Sequence, residues 1–190
     1  YGVDRNAFGL FGASPTLGQL KNPIQMEASM IYSEDNDLLG KFFVENRSSV
    51  TYEELSPELI QTLVCTEDQR FYEHQGIDYH GMFSAAKDAV RGRARGASTI
   101  TQQLVKNLFK MRSEYTKGAL CRVPGIKVLI VKIKECIGAV RIENHYTKQE
   151  ILTMYLNTVT FGNNTFGIKS AAKTYFNTTP DKLTYEQAAC

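Results

Sequence analysis

No stretch of the 190 residues approaches the ~18–20 uncharged apolar residues that a membrane-spanning helix needs. The most apolar run, Ile126 to Ile133, is interrupted by Lys127 and Lys132. Internal repeats, low-complexity tracts and an interdomain linker are also missing, which excludes a collagen-like chain, a coiled-coil rod and a disordered segment. Cysteine is sparse: Cys65, Cys121, Cys136 and Cys190 follow neither a CxxC nor a zinc spacing. Cys65 and Cys136 lie in apolar helical patterns and read as small core residues. The Gly-Lys-Ser/Thr order of a nucleotide-binding loop is absent, so ATP has little support. The chain opens on Tyr1, without Met or a basic leader-like segment, and it stops barely one turn into the helix signalled by Thr184 to Gln187. It is therefore expected to be a piece of a longer protein, with residues 1–190 forming one domain.

What remains is ordinary globular composition, 43% hydrophobic and 22% charged. The net charge of +2 hides an asymmetry. Between Lys87 and Lys134 twelve Lys and Arg face only Asp88 and Glu114, a net +10, and the remainder carries −8. Such a block suits an anionic partner (phosphate, nucleic acid or an acidic membrane surface) as well as it suits a solvated basic face.

The local signals are mostly helical. Residues 1–30 read as irregular, and Lys41 to Val44 as a short strand after the polar turn Glu34-Asp35-Asn36-Asp37. Ser56-Pro57-Glu58 combines an N-cap Ser, Pro at the first helical position and an early acid. From there the stripe Ile60, Leu63, Glu67, Phe71, His74 predicts one helix stopped by Gly76. Asp78 is placed to cap a second helix through Met82, Ala86 and Val90. Thr99 and Gln102 form a capping-box pair for a third, with Ile100, Leu104 and Leu108 buried and Thr99, Gln103 and Lys106 on a separate polar face. Residues 111–125 read as a loop; in 126–143 the β-branched residues favour a strand and the length favours a helix, and the helix, which is the reading taken, puts Val131, Glu135 and Ala139 on one side. Thr147 to Glu150 and Thr184 to Gln187 are further capping boxes, the first leading into Ile151, Leu152, Tyr155 and Leu156.

Three groups carry candidate chemistry. Glu67, on an apolar stripe, is expected to be desolvated and so suited to proton transfer, or else tied to a helix end or to Arg70. His74 reads first as a satisfied core or capping histidine, and only second as a functional one. The segment Gly96 to Lys106 offers helix N–H groups, the Ser98 and Thr99 hydroxyls and Lys106 to an anion, against the simpler reading of a capped helix. Glu135, between Lys132 and Lys134, reads alone as a surface ion-pair cluster and gains meaning only beside Glu67.

Four blocks together resemble the peptidoglycan glycosyltransferase domain of class A penicillin-binding proteins, glycosyltransferase family 51. Glu67-Asp68-Gln69-Arg70-Phe71-Tyr72-Glu73-His74-Gln75-Gly76 is similar to its Glu-Asp-x-x-Phe-x-x-His-x-Gly. Gly96 to Asn107 resembles its Gly-x-Ser-Thr-x-Thr-Gln-Gln block, Lys132-Ile133-Lys134-Glu135 the tail of its Arg-Lys-x-x-Glu block, and Ile151 to Asn157 its Ile-Leu-x-x-Tyr-Leu-Asn block. The resemblance, from about residue 25 onward, implies a mainly α-helical, lysozyme-like domain with a small N-terminal strand or hairpin region. It implies polymerisation of lipid II into β-1,4-linked glycan strands, with inversion at the anomeric carbon and release of undecaprenyl pyrophosphate. Glu67 matches the family's general base and Glu135 its second Glu, near the donor pyrophosphate. Asp68, Phe71 and His74, then Ser98, Thr99, Gln103 and Lys106, and Lys132 match its substrate-contacting positions.

The family's Arg in the third block is Val131 here; Lys134, Arg95 or Arg112 could replace its hold on the pyrophosphate. Glu67, Asp68 and Glu135 could hold Mg²⁺ or Mn²⁺ as hard oxygen ligands, although no spacing demands a metal. The expected partners are lipid II, the growing glycan and a membrane surface, and not nucleic acid; Met111, Val128 and Ile130 read equally as contacts to that surface and as core. The expected location is the outer face of the bacterial cytoplasmic membrane. A membrane anchor and a transpeptidase domain, with its Ser-x-x-Lys nucleophile, are expected outside the chain. A lytic enzyme acting on finished peptidoglycan and a non-catalytic lipid II-binding module remain as alternatives.

Overall fold

The computed structural model describes residues 29–32, 38–42, 49–93, 96–108, 124–162 and 165–190. The architecture is mainly helical, as the resemblance implied. Strands β1 (Ser29–Tyr32) and β2 (Leu38–Phe42) pair antiparallel, with Ser29 opposite Phe42. This hairpin shifts the expected strand two to three residues toward the N-terminus, and Phe43 and Val44 lie outside the described residues, as does the turn at 34–37. Helices follow at Pro57–Glu67 (α1), Tyr79–Val90 (α2), Ile100–Leu108 (α3), Pro124–Glu143 (α4), Lys148–Thr158 (α5), Ile168–Phe176 (α6) and Tyr185–Ala188 (α7). Pro124 and Gly125, read as the end of a loop, are the first turn of α4; residues 109–123 lie outside the described set.

The caps fall where the residue types place them. The Ser56 hydroxyl accepts the Leu59 N–H at 3.1 Å, and its own proton goes to the Leu183 carbonyl, joining the start of α1 to the approach to α7. Thr147 and Glu150 form the reciprocal box that opens α5. Asp78 accepts the Gly81 N–H at 2.9 Å at the start of α2. Burial pushes the Asp78 carboxyl up, but that N–H and the Arg70 guanidinium outweigh it and hold the group below the usual carboxylate range.

The core gathers Leu59 and Val64 of α1, Ile100, Leu104 and Val105 of α3, Val131, Ala139 and Ile142 of α4, and Ile151, Leu152, Tyr155 and Leu156 of α5. Helix α3 lies against both α4 and α5. Asn157 ties the incoming chain to the end of α5, its side-chain amide exchanging two 2.9 Å hydrogen bonds with the backbone of Val50.

One expected helix is corrected. α1 ends at Glu67 and does not run on to Gly76, because Asp68 turns out of the helix to engage a partner on α3. Its buried face is Leu59 and Val64, with Ile60 and Leu63 half-buried, and Cys65 is exposed. Cys136, the other expected core cysteine, is half-buried. Helix α2 runs to Val90 as expected, with Met82 exposed and Val90 90% exposed, beside Tyr79 and Phe83.

Gly76 takes the left-handed conformation at φ 84°, and a Cβ there would lie 2.8 Å from the Ala139 backbone carbon of α4. Gly76→Ala is expected to cost roughly 2–4 kcal/mol, from left-handed strain plus an immovable backbone neighbour. The midpoint of chemical denaturation measures it, and an unchanged midpoint refutes the close approach.

Candidate active site

The loop after α1 is pinned from three sides. Asp68 is buried: its Oδ2 accepts the N–H of Ile100, the first residue of α3, at 3.0 Å, and its Oδ1 lies 2.9 Å from His74 Nε2. That N–H is one of the donors a helix start leaves unpaired. Thr99 donates its hydroxyl proton to the Gly76 carbonyl at 2.8 Å while accepting the Gln102 N–H at 3.2 Å. Lys148, at the start of α5, donates to the His74 carbonyl at 2.7 Å, pairs with Glu143 at 2.8 Å and sits 4.4 Å from the Phe71 ring centroid. A cation at a helix N-terminus opposes the macrodipole, so these three contacts give the physical reason for its position.

The N-terminal turn of α3 is held from the other side by α4. Lys132 Nζ donates to Ser98 Oγ at 2.7 Å and Gln102 Oε1 at 3.0 Å, and pairs with the buried Glu135 at 3.2 Å. Further along α3, Gln103 Nε2 donates to Glu67 Oε2 at 2.8 Å, and Gln103 Oε1 accepts the Tyr155 hydroxyl proton at 3.1 Å. Burial, followed by the nearby Glu67 charge, pushes the Tyr155 phenol up to about 12.

Around this turn lies a polar cavity of about 710 Å³, whose wall includes Glu67, Asp68, Arg70, Asp78, His80, Ser84, Ser98, Thr99 and Gln103. A nearly all-apolar groove of about 540 Å³ runs between α2 and α4, lined by Met82, Leu129, Ile133 and Ile137, with Lys132 at its edge. Lys132 thus joins the two, since it lines the groove and holds Ser98 of the cavity.

The positions singled out from sequence divide accordingly. Glu67, Asp68, Ser98, Thr99 and Gln103 come together on the cavity wall, and Glu135 is tied to it through Lys132 without lining it. Phe71 is fully buried and His74 nearly so, so both lie beneath the wall. Lys106 is exposed and outside the cavity lining, and Thr99 is buried, which breaks up the expected polar face of α3. Glu67 is exposed, which removes the expected desolvation: α1 ends there, and no apolar neighbour follows on its face. Of the proposed replacements for the family Arg, Lys134 is 1% exposed, and Arg95 and Arg112 lie outside the described residues. Val128 is 71% exposed, as a surface contact requires, but Ile130 is buried, and Met111 lies outside the described residues.

Among the described residues, no three of His, Cys, Asp and Glu gather into a metal-binding group. Among those residues, too, no helix is long and apolar enough to cross a membrane. Ser-x-x-Lys, expected only outside the chain, occurs twice in it, at Ser84–Lys87 and Ser170–Lys173. The Ser-Asp-Asn and Lys-Thr-Gly companions of a penicillin-reactive serine occur nowhere in the sequence.

Sequence reasoning passed over Tyr155 and Lys148. The available signals were a phenol on a buried stripe, which needs a partner for its hydroxyl, and a lysine at a helix start.

Comparison with known proteins gives a consistent result. Residues 33–190 match the family model described as Transglycosylase. The chain is 40% identical over 177 residues to penicillin-binding protein 1A of Escherichia coli, covering 92% of the chain and 19% of that protein. It is 37% identical over 183 residues to penicillin-binding protein 1A of Haemophilus influenzae, covering 95% and 20%. Against penicillin-binding protein 1F of Bacillus subtilis it is 34% identical over 171 residues, covering 89% and 22%. The chain thus spans about a fifth of the length of these relatives.

Proposed function

The chain belongs to the transglycosylase family and is a peptidoglycan glycosyltransferase domain, and from that premise we propose that it polymerises lipid II, with Glu67 as the general base. The acceptor's 4-hydroxyl gives its proton to the Glu67 carboxylate as its oxygen attacks the donor's anomeric carbon. The bond from that carbon to the pyrophosphate breaks, undecaprenyl pyrophosphate leaves with the electron pair, and the new linkage is inverted to β. The observation that carries this reading is the Glu67 carboxylate itself: exposed on the wall of a polar cavity and held at 2.8 Å by Gln103. A base must reach the proton it takes, and a hydrogen bond from an amide fixes its orientation without consuming both oxygens.

Lys132, with Glu135 behind it, stands where the polar cavity meets the apolar groove. That junction suits a substrate whose pyrophosphate lies between a sugar and a hydrocarbon chain: the cation offsets leaving-group charge and the groove takes the chain. Val128, Leu129 and Phe83, exposed on α4 and α2, favour work at a membrane surface, on the outer face of the cytoplasmic membrane. The longer relatives favour a transpeptidase domain and a membrane anchor elsewhere in the full-length protein.

The test is polymerisation of purified lipid II by the full-length protein, read as glycan ladders on a gel, with Glu67→Gln and Glu135→Gln alongside. The parent is expected to give ladders that Glu67→Gln lacks. A folded parent that binds lipid II and builds nothing overturns the reading in favour of a binding module.

A further inference from the structure

We propose that Tyr155 is a positioning residue for the Glu67 base, acting through the side chain of Gln103. This rests on Glu67 being the base. Gln103 has two unlike ends, an oxygen that accepts and an NH₂ that donates. An ionised carboxylate can only accept, so the NH₂ must face Glu67, as it does at 2.8 Å. The oxygen then needs a donor, and the Tyr155 hydroxyl supplies it at 3.1 Å. Rotating the amide by half a turn would set its oxygen against the carboxylate, so the carboxylate fixes which end of the amide faces it. The phenol, by donating to the other end, holds the amide in place against the base.

Tyr155 is itself fixed, being 5% exposed and packed among the core side chains of α5. Glu67 lacks such confinement, since it is exposed on the last residue of α1. The order of the rigid core is thus passed through one amide to a side chain that solvent would otherwise leave free to rotate. Sequence separations of 52 and 36 residues across the two bonds explain why no local pattern reveals the connection.

The test uses the full-length protein and four variants: Tyr155→Phe, Gln103→Ala, the two combined, and Glu67→Gln. For each, kcat and KM for lipid II polymerisation and the melting temperature are measured. Tyr155→Phe keeps the ring and is expected to lower kcat about tenfold with KM within about twofold, as for loss of orientation rather than of binding. In the Gln103→Ala background the same substitution should change kcat by less than about twofold, because the intermediary is already gone. A parental kcat in Tyr155→Phe, or independent effects that multiply in the combined variant, overturns the positioning role. If Tyr155→Phe does not fold, Gln103→Asn examines the same link from a half-buried position on α3. Its shorter amide cannot span both partners, so kcat must fall as far as in Gln103→Ala, and a parental kcat refutes the proposal. A fully active Glu67→Gln removes the base assignment and this proposal with it. An inactive Glu67→Gln beside independent Tyr155 and Gln103 effects removes only the positioning role.

Discussion

Glu67→Gln is expected to abolish glycan ladders while leaving the fold as stable as before, or slightly more so. A positioned general base contributes typically ~10²–10⁴-fold, so turnover should fall by at least about a hundredfold. The fold should not suffer, because Glu67 is exposed and supports no core contact. It is also the last residue of α1, where a negative charge faces the negative end of the helix dipole. Gln removes that repulsion, and its oxygen can still accept the Gln103 amide. Ladder assays and thermal melts on the same preparations check both halves. A lower melting temperature together with lost activity would mean that Glu67 is a structural support.

Asp68, its neighbour, should behave in the opposite way. Asp68→Ala is expected to destabilise the protein by about 3–5 kcal/mol, the usual cost of removing one partner from a buried charge-assisted pair. The substitution leaves both the Ile100 N–H and His74 Nε2 without their acceptor in the interior. Domains of this kind hold only ~5–15 kcal/mol in total, so the loss is a large fraction of the whole. Asp68→Asn should fall between the two. Its oxygen can still receive the Ile100 N–H, but its NH₂ faces Nε2 and would move the ring proton to Nδ1, which is buried without a partner among the described residues. Urea denaturation of the three proteins gives the order, and an alanine variant as stable as the parent would show that the carboxylate does not hold the loop.

Glu67 and Asp68 also mark where the sequence is legible and where it is not. Ser56, Thr147 and Thr184 announce helix starts because a cap needs only neighbours three residues away. Length favours the helix α4, and spacing sets Val131, Glu135 and Ala139 on one face; that the fold buries this face, with Glu135 in it and not at the surface, is not legible from spacing. The end of α1 does not, since what draws Asp68 out of the helix is a backbone N–H 32 residues further on. With that ending goes the expected burial of Glu67: the stripe running through Phe71 and His74 exists in the sequence but not on a helix. The helix through Met82 and Val90 is legible and the exposure of both is not, because periodicity marks an apolar face without saying what covers it. The motif resemblance placed Gln103 at the site, and the three-dimensional contacts add the Tyr155 hydroxyl behind it.

The first turn of α3 has its anchors far away in the chain. Thr99, Ile100, Ser98 and Gln103 bond to residues 23 to 52 positions distant, on the loop after α1, on α4 and on α5. A turn fastened in this way cannot fray by itself, because releasing it means parting several segments at once. In deuterated solvent the Ile100 amide should therefore exchange as slowly as the interior amides of α4, although it stands at a helix end, where amides normally exchange fast. Mild heat or denaturant should then erase catalysis and structure in one step, with no intermediate stage in which the fold persists around a disassembled site.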